Sequence, residues 1–180
     1  LLAPWRRVLG SLMDWLVDAA GRIAQQADQP VRWVTPLGLP VVQPYRRKDD
    51  ARHVVKTMVQ SVVLVKQNRL PVSVQRQKSA FPPNYIHSLD STHMLMTALE
   101  CERAGITFAS VHDSYWTHAA TVDTMSTVLR DQFVALHSRP LLHELLDSFK
   151  TTYPAVEFAP LPPRGTFDLN LVRDSPYFFS

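Results

Sequence analysis

Between Pro4 and Ala27 the apolar residues Trp5, Val8, Leu9, Leu12, Met13, Trp15, Leu16, Ala19, Ala20, Ile23 and Ala24 recur at intervals of three and four. That is the period of an amphipathic helix, here with a proline near its first turn. Two tryptophans predict a well-buried helix. The pattern then changes: Pro30 to Tyr45 reads as two short strands around the turn Pro36-Leu37-Gly38-Leu39-Pro40, with the prolines suiting edge strands or irregular hairpin arms. Residues 53–65 are rich in β-branched side chains. The polar, proline-bounded stretch 66–84 reads as a loop or exposed connection, with a boundary near Phe81-Pro82-Pro83-Asn84.

Helical spacing returns from Ser88 to Ala104, with Ser88 or a neighbour as cap and Met94, Leu95, Ala98, Leu99 and Cys101 lining one face. Gly105 ends that helix and opens a strand running to His112, and Tyr115–His118 forms the returning strand. Val122, Met125, Val128, Leu129, Phe133 and Leu136 mark a further helix, and Pro140 to Phe149 another, with Leu141, Leu142, Leu145 and Leu146 inward. A proline-rich remainder ends in Tyr177-Phe178-Phe179-Ser180. The organising unit, around residues 88–137, is therefore helix, strand, turn, strand, helix, with no internal repeat or low-complexity tract.

Composition narrows the class without deciding it. With 46% hydrophobic and 19% charged residues and five glycines, the chain fits an ordinary globular protein. No stretch approaches the roughly 20 apolar residues that span a bilayer, so no membrane partner is expected. Arg6, Arg7 and Arg22 on the first helix could belong to an organelle transit peptide, but Asp14, Asp18 and the missing initiator Met argue against one. The chain reads as a piece of a longer protein. A single cysteine, Cys101, excludes an internal disulfide and reads as a buried, inert thiol.

The net charge of +3 hides an asymmetry. Residues 46–78 carry nine Lys/Arg, among them Arg46, Arg47 and Lys48, against Asp49 and Asp50, whereas residues 79–180 carry six basic and eleven acidic side chains. A segment of +7 beside one of −5 suits a protein that holds a polyanion on one surface and metal cations on another, or simply a solvated face.

The candidate chemistry lies at Val111-His112-Asp113-Ser114-Tyr115, where the apolar run 105–110 ends in a carboxylate at a hairpin tip. Three chemistries are open there. A Ser-His-Asp relay is disfavoured because adjacent strand residues point to opposite faces. A zinc or iron site could draw on His87, Asp90, His93, His112, Asp113 and His118, but His87 and His93 are six apart and drift around a helix rather than sharing a face. A hard-metal site suits the carboxylate better, because Mg²⁺ takes oxygen ligands and leaves room for water and phosphates. One Asp is insufficient for it.

The segment from Trp33 to Tyr45 (WVTPLGLPVVQPY), the run from Phe81 to His93 (FPPNYIHSLDSTH), the run from Ser110 to His118 (SVHDSYWTH) and the terminal Tyr177-Phe178-Phe179-Ser180 occur in this order. Together they resemble the C-terminal part of animal mitochondrial DNA-directed RNA polymerase, of the single-subunit, phage-like family. The resemblance implies an α+β fragment of a right-hand polymerase, with residues 1–86 finishing the fingers and residues 87–180 forming the C-terminal palm. The catalytic carboxylate would sit on a β-hairpin turn flanked by helices.

It further implies that Asp113 is the second of two catalytic aspartates and binds two Mg²⁺ ions, the other carboxylate lying upstream of this chain. His112 would support the turn or the primer end. His87 would reach the minor groove of the newest template–RNA pair, and Arg46, Arg47 and Lys48 are candidate nucleic-acid contacts. The terminal residues resemble the family's C-terminal foot, which folds back near the active centre. Implied partners are the DNA template, nascent RNA, ribonucleoside triphosphates and mitochondrial initiation and elongation factors, in the nucleoid of the mitochondrial matrix. Replication primer synthesis is a further implied role. This chain would be inactive by itself, and the competing expectation is a non-catalytic nucleic-acid-binding module of the same shape.

Overall fold

The structure is a computed structural model, and it describes residues 3–47, 53–56, 61–64, 70–111 and 113–178. Helix α1 spans Ala3–Gln26, followed by strands β1 (Arg32–Val34) and β2 (Pro40–Val42), then β3 (His53–Lys56) and β4 (Ser61–Leu64). Helix α2 spans Val74–Arg103, strands β5 and β6 span Ala109–Val111 and Ser114–Trp116, and helices α3 (Val122–Ser138), α4 (Leu141–Thr152) and the short α5 (Leu171–Asp174) complete the described chain. The three strand pairs are separate antiparallel hairpins. The result is a mixed helical and antiparallel α+β arrangement.

The first helix forms as its spacing predicts: Trp15, Leu16, Ala19, Ala20, Ile23 and Ala24 are all buried. Their face packs on α2, and the core continues through Trp33 of β1 to Phe81, Tyr85, Leu145, Phe149, Tyr153 and Val156. Phe81 stands at its centre, with ring centroids 5.3 Å from Trp33, 5.8 Å from Tyr85 and 5.7 Å from Phe149.

That position explains the largest departure from the sequence expectation. Residues 74–84, read as part of a loop, are the first third of α2, and the boundary expected near residues 81–84 lies inside one continuous helix. Pro82 and Pro83 each remove a ladder hydrogen bond, a cost of about 3 kcal/mol per proline in a helix interior. Burying Phe81, Pro82 and Tyr85 against α1, β1 and α4 outweighs that local preference. Ser88, expected as a cap, is consequently mid-helix, where its hydroxyl donates to the Tyr85 carbonyl at 2.6 Å and accepts from the Trp33 indole at 3.0 Å.

The buried stripe on the rest of α2 coincides with the expected one only at Cys101. It consists of Thr92, His93, Thr97 and Cys101, while Leu99 is exposed. The threonines can be buried because their hydroxyls donate back to the helix, Thr92 to the Ser88 carbonyl at 2.7 Å and Thr97 to that of His93 at 2.9 Å. Only their methyl groups then face the neighbours. The β-branched stretch 53–65 resolves into the β3–β4 hairpin, with Val54 opposite Val63 and Val55 opposite Val62.

Candidate functional site at the β5–β6 turn

Gly105, at φ +69°, turns the chain out of α2, and seven residues later it reaches the β5–β6 turn. In that hairpin Ala109 faces Trp116, Ser110 faces Tyr115 and Val111 faces Ser114. Period-two alternation puts Ser110 and Tyr115 on the half-buried face and leaves Val111, Ser114 and Trp116 exposed. Asp113 occupies the turn immediately before Ser114, with its side chain exposed. His112 lies outside the described residues, as do Lys48, Phe179 and Ser180.

Two cavities meet at this turn, and Asp113 and Tyr115 line both. The larger, about 760 Å³, is walled by His87, Asp90, Ser91, His93 and Met94 of α2, Ser110 of β5, and Phe133 and His137 of α3. The smaller, about 300 Å³, is closed by Ser114, Val122, Met125, Ser126, Leu129 and Phe178. The expected helix–hairpin–helix unit thus encloses a site in which His87 and Asp113 share one cavity. Arg46 and Arg47 line neither. Arg46 donates to the Leu70 carbonyl at 2.6 Å, and the Arg47 amide donates to that of Pro71, so this segment is tied to the strand-like chain before α2.

The larger cavity is anionic. Asp90 and Asp113 are its carboxylates, and among the described residues no Lys or Arg lines it. The Tyr115 hydroxyl registers this environment: burial first, then the charges of Asp90 and Asp113, push its pKa up. On the rim, His87 Nδ1 lies 3.8 Å from Asp90 Oδ2 with both side chains well exposed.

His93 has a different character. It is buried, its Nε2 donates to the Leu129 carbonyl at 2.8 Å, and it meets Phe133 edge-on at 5.6 Å. Burial dominates its titration and lowers its pKa, which is the hydrogen-bonded core role rather than metal ligation. Among the described residues no group of three or more His, Cys, Asp or Glu side chains could hold a metal ion. The described residues by themselves do not form a closed zinc centre.

Asp90 enters the sequence reading only as a possible zinc or iron ligand and Tyr115 only as part of the turn segment, and Phe133 and His137 are read there as no part of a site. The signals existed: Asp90 follows His87 at i+3, and Phe133 and His137 are one helical turn apart.

Comparison with known proteins gives this geometry a context. The family model for DNA-dependent RNA polymerase matches residues 8–157. DNA-directed RNA polymerase 2B, chloroplastic/mitochondrial, of Nicotiana tabacum is 55% identical over 170 residues, covering 94% of this chain and 16% of that protein. DNA-directed RNA polymerase 1, mitochondrial, of Nicotiana sylvestris is 54% identical over the same share of this chain and 17% of its own length. DNA-directed RNA polymerase 2A of Nicotiana tabacum, 55% identical, is covered over 50% of its length. The chain therefore spans between a sixth and a half of these Nicotiana relatives, two of which are named for mitochondria, one of those for chloroplasts as well. Among the described residues no helix is long and apolar enough to cross a membrane. With 150 of its 180 residues inside the family match, the chain belongs to the DNA-dependent RNA polymerase family.

Proposed function

We propose that this chain is the C-terminal fingers and palm portion, residues 1–86 and 87–180, of an organellar polymerase that copies a DNA template into RNA by nucleotidyl transfer. The observation that carries the proposal is the exposed Asp113 carboxylate on the β5–β6 turn, facing an anionic cavity whose far rim holds His87. A turn carboxylate that is open to solvent can supply an oxygen ligand to a divalent cation. Two Mg²⁺ ions bound there would activate the RNA 3′-hydroxyl and stabilise the leaving pyrophosphate. Asp113 would supply one carboxylate, with the other coming from outside these residues.

His87, exposed at the rim, would offer a ring N–H to the acceptors that every base pair presents in the minor groove, checking pair geometry without reading sequence. His112 would support the turn. Exposed Arg47 would contact a phosphate directly, as would Lys48, and Arg46 through nitrogens not committed to Leu70. The partners of the complete protein would be template, nascent RNA, ribonucleoside triphosphates and initiation and elongation factors, at the organellar nucleoid, with transcription and replication priming as outputs.

The test is Asp113→Asn in the complete protein. Single-nucleotide addition should fall by about 10³-fold or more, since metal-assisted charge stabilisation is worth several kcal/mol, while template affinity stays near that of the wild type. Near-normal addition by the variant would overturn the role given to Asp113, whereas template binding without any addition by the wild-type protein would leave a non-catalytic nucleic-acid-binding module.

A further inference from the structure

Arg130, near the middle of α3, reaches across to the C-terminal segment. Its Nη1 group donates to the main-chain carbonyls of Val172 at 2.8 Å, Arg173 at 3.4 Å and Ser175. The guanidinium also lies over the ring of Phe178, 5.4 Å from its centroid. One residue along, Asp131 accepts from Arg173 Nε at 2.7 Å. A four-residue helix such as α5 cannot satisfy its own last carbonyls, and Arg130 supplies charged donors to the end of it. All three carbonyls are met by one guanidinium nitrogen while the centre of the group lies over the Phe178 ring, a fixed spacing between donor and aromatic contact that the point charge of a Lys ammonium does not reproduce.

The held segment ends at the candidate site. Phe178 meets Phe133 edge-on with centroids 5.0 Å apart, and Phe133 stacks on His137 at 4.1 Å. Phe178 lines the smaller cavity beside Asp113, whereas Phe133 and His137 line the larger one. The place of the C-terminal segment therefore sets a wall of one cavity and supports a wall of the other.

We propose that Arg130 is a positioning residue: by fixing residues 172–178 on α3 it sets Phe178 as the wall beside Asp113 against which the reacting end of the nucleic acid or the nucleotide is aligned. The alignment half of this inference rests on the polymerase reading; the clamp half does not. The experiment compares Arg130→Lys, Arg130→Met, Phe178→Ala and the Arg130→Met/Phe178→Ala double variant in the complete polymerase. It reads amide hydrogen exchange in residues 172–178, template affinity, and kcat and KM for single-nucleotide addition.

Both Arg130 variants should exchange the amides of residues 172–178 faster and show kcat lower by about tenfold, equivalent to about one charged hydrogen bond, with template affinity unchanged. The double variant should be no slower than the worse single one, because both residues act through the same wall. Wild-type addition and tail protection in Arg130→Lys would overturn the inference, as would effects of the two residues that multiply in the double variant. If the wild-type polymerase adds no nucleotide, the polymerase reading fails and hydrogen exchange in residues 172–178 alone decides the clamp. If Arg130→Met does not fold, the Lys variant carries the same comparison.

Discussion

The side-chain amides of Gln43 and Gln77 meet at 2.9 Å in the protein interior, Gln43 Nε2 donating to Gln77 Oε1. Gln77 is fully committed around this contact. Its Oε1 also accepts from the Val31 amide at 3.2 Å, and its Nε2 donates to the carbonyls of Gln43 at 2.9 Å and Tyr45 at 3.2 Å. One buried amide thus ties the first turn of α2 to the chain on both sides of the β1–β2 hairpin. Gln77→Leu keeps the volume but strands these partners, and each buried group left unpaired costs about 1–3 kcal/mol. Urea unfolding should show a loss of about 3 kcal/mol or more with an unchanged m-value. Gln77→Glu should fare no better, because a carboxylate cannot donate to the two carbonyls.

Phe81 touches three other aromatic rings and is fully buried, which makes it the anchor that keeps α2 helical through Pro82 and Pro83. Phe81→Ala should cost about 3–5 kcal/mol, the usual range for an aromatic deleted from a core. If the burial of this ring is what outweighs the proline penalty, amide hydrogen exchange should accelerate first in residues 74–81. Uniform acceleration across α2 would count against that account.

Gly105 makes a sharper test of backbone against packing. Its φ of +69° lies in the left-handed region, and a Cβ built there would meet nothing within 4 Å. The cost of Gly105→Ala should therefore be conformational only, about 1 kcal/mol. Gly105→Asn should recover part of it, since Asn tolerates that region. Equal losses for Ala and Asn in thermal unfolding would refute the conformational explanation.

These cases show why some of the architecture was legible in the sequence and some was not. The buried stripe of α1, the β1–β2 hairpin around Gly38, the termination at Gly105 and the carboxylate at the β5–β6 turn each follow from local spacing or from one residue's backbone preference. Those signals sit inside a dozen residues. The first turns of α2 do not: their prolines argue locally for a loop, and only contacts from Phe81 to Trp33 and Phe149 reverse that. Buried Thr92 and Thr97 likewise break the apolar pattern because their hydroxyls are satisfied within the helix. Asp113 was visible as a candidate from its turn, but its cavity partners Phe133 and His137 arrive from another helix, which local pattern does not place. Identity at the level of family came from four ordered blocks of residues rather than from the physics of any one of them.

His93 gives the protein a dependence on pH that can be read in sign. Burial lowers the affinity of its ring for a proton, and His137 adds to this, while the Leu129 carbonyl and Asp90 act in the opposite sense. The folded pKa therefore lies below the ordinary value of 6.5, so as pH falls the unfolded chain takes up this proton first. Stability is unaffected by His93 above the unfolded value. It declines as pH drops through about 6.5 and levels off once the folded pKa has been passed. His93→Gln retains an N–H donor but does not titrate in this range. Its stability at neutral pH will differ from that of the wild type by some packing offset, whereas the slope of stability against pH between 7 and 5.5 should be shallower. Chemical unfolding at four or five pH values measures both slopes, and parallel curves for the two proteins would show that His93 is not the group whose burial is felt.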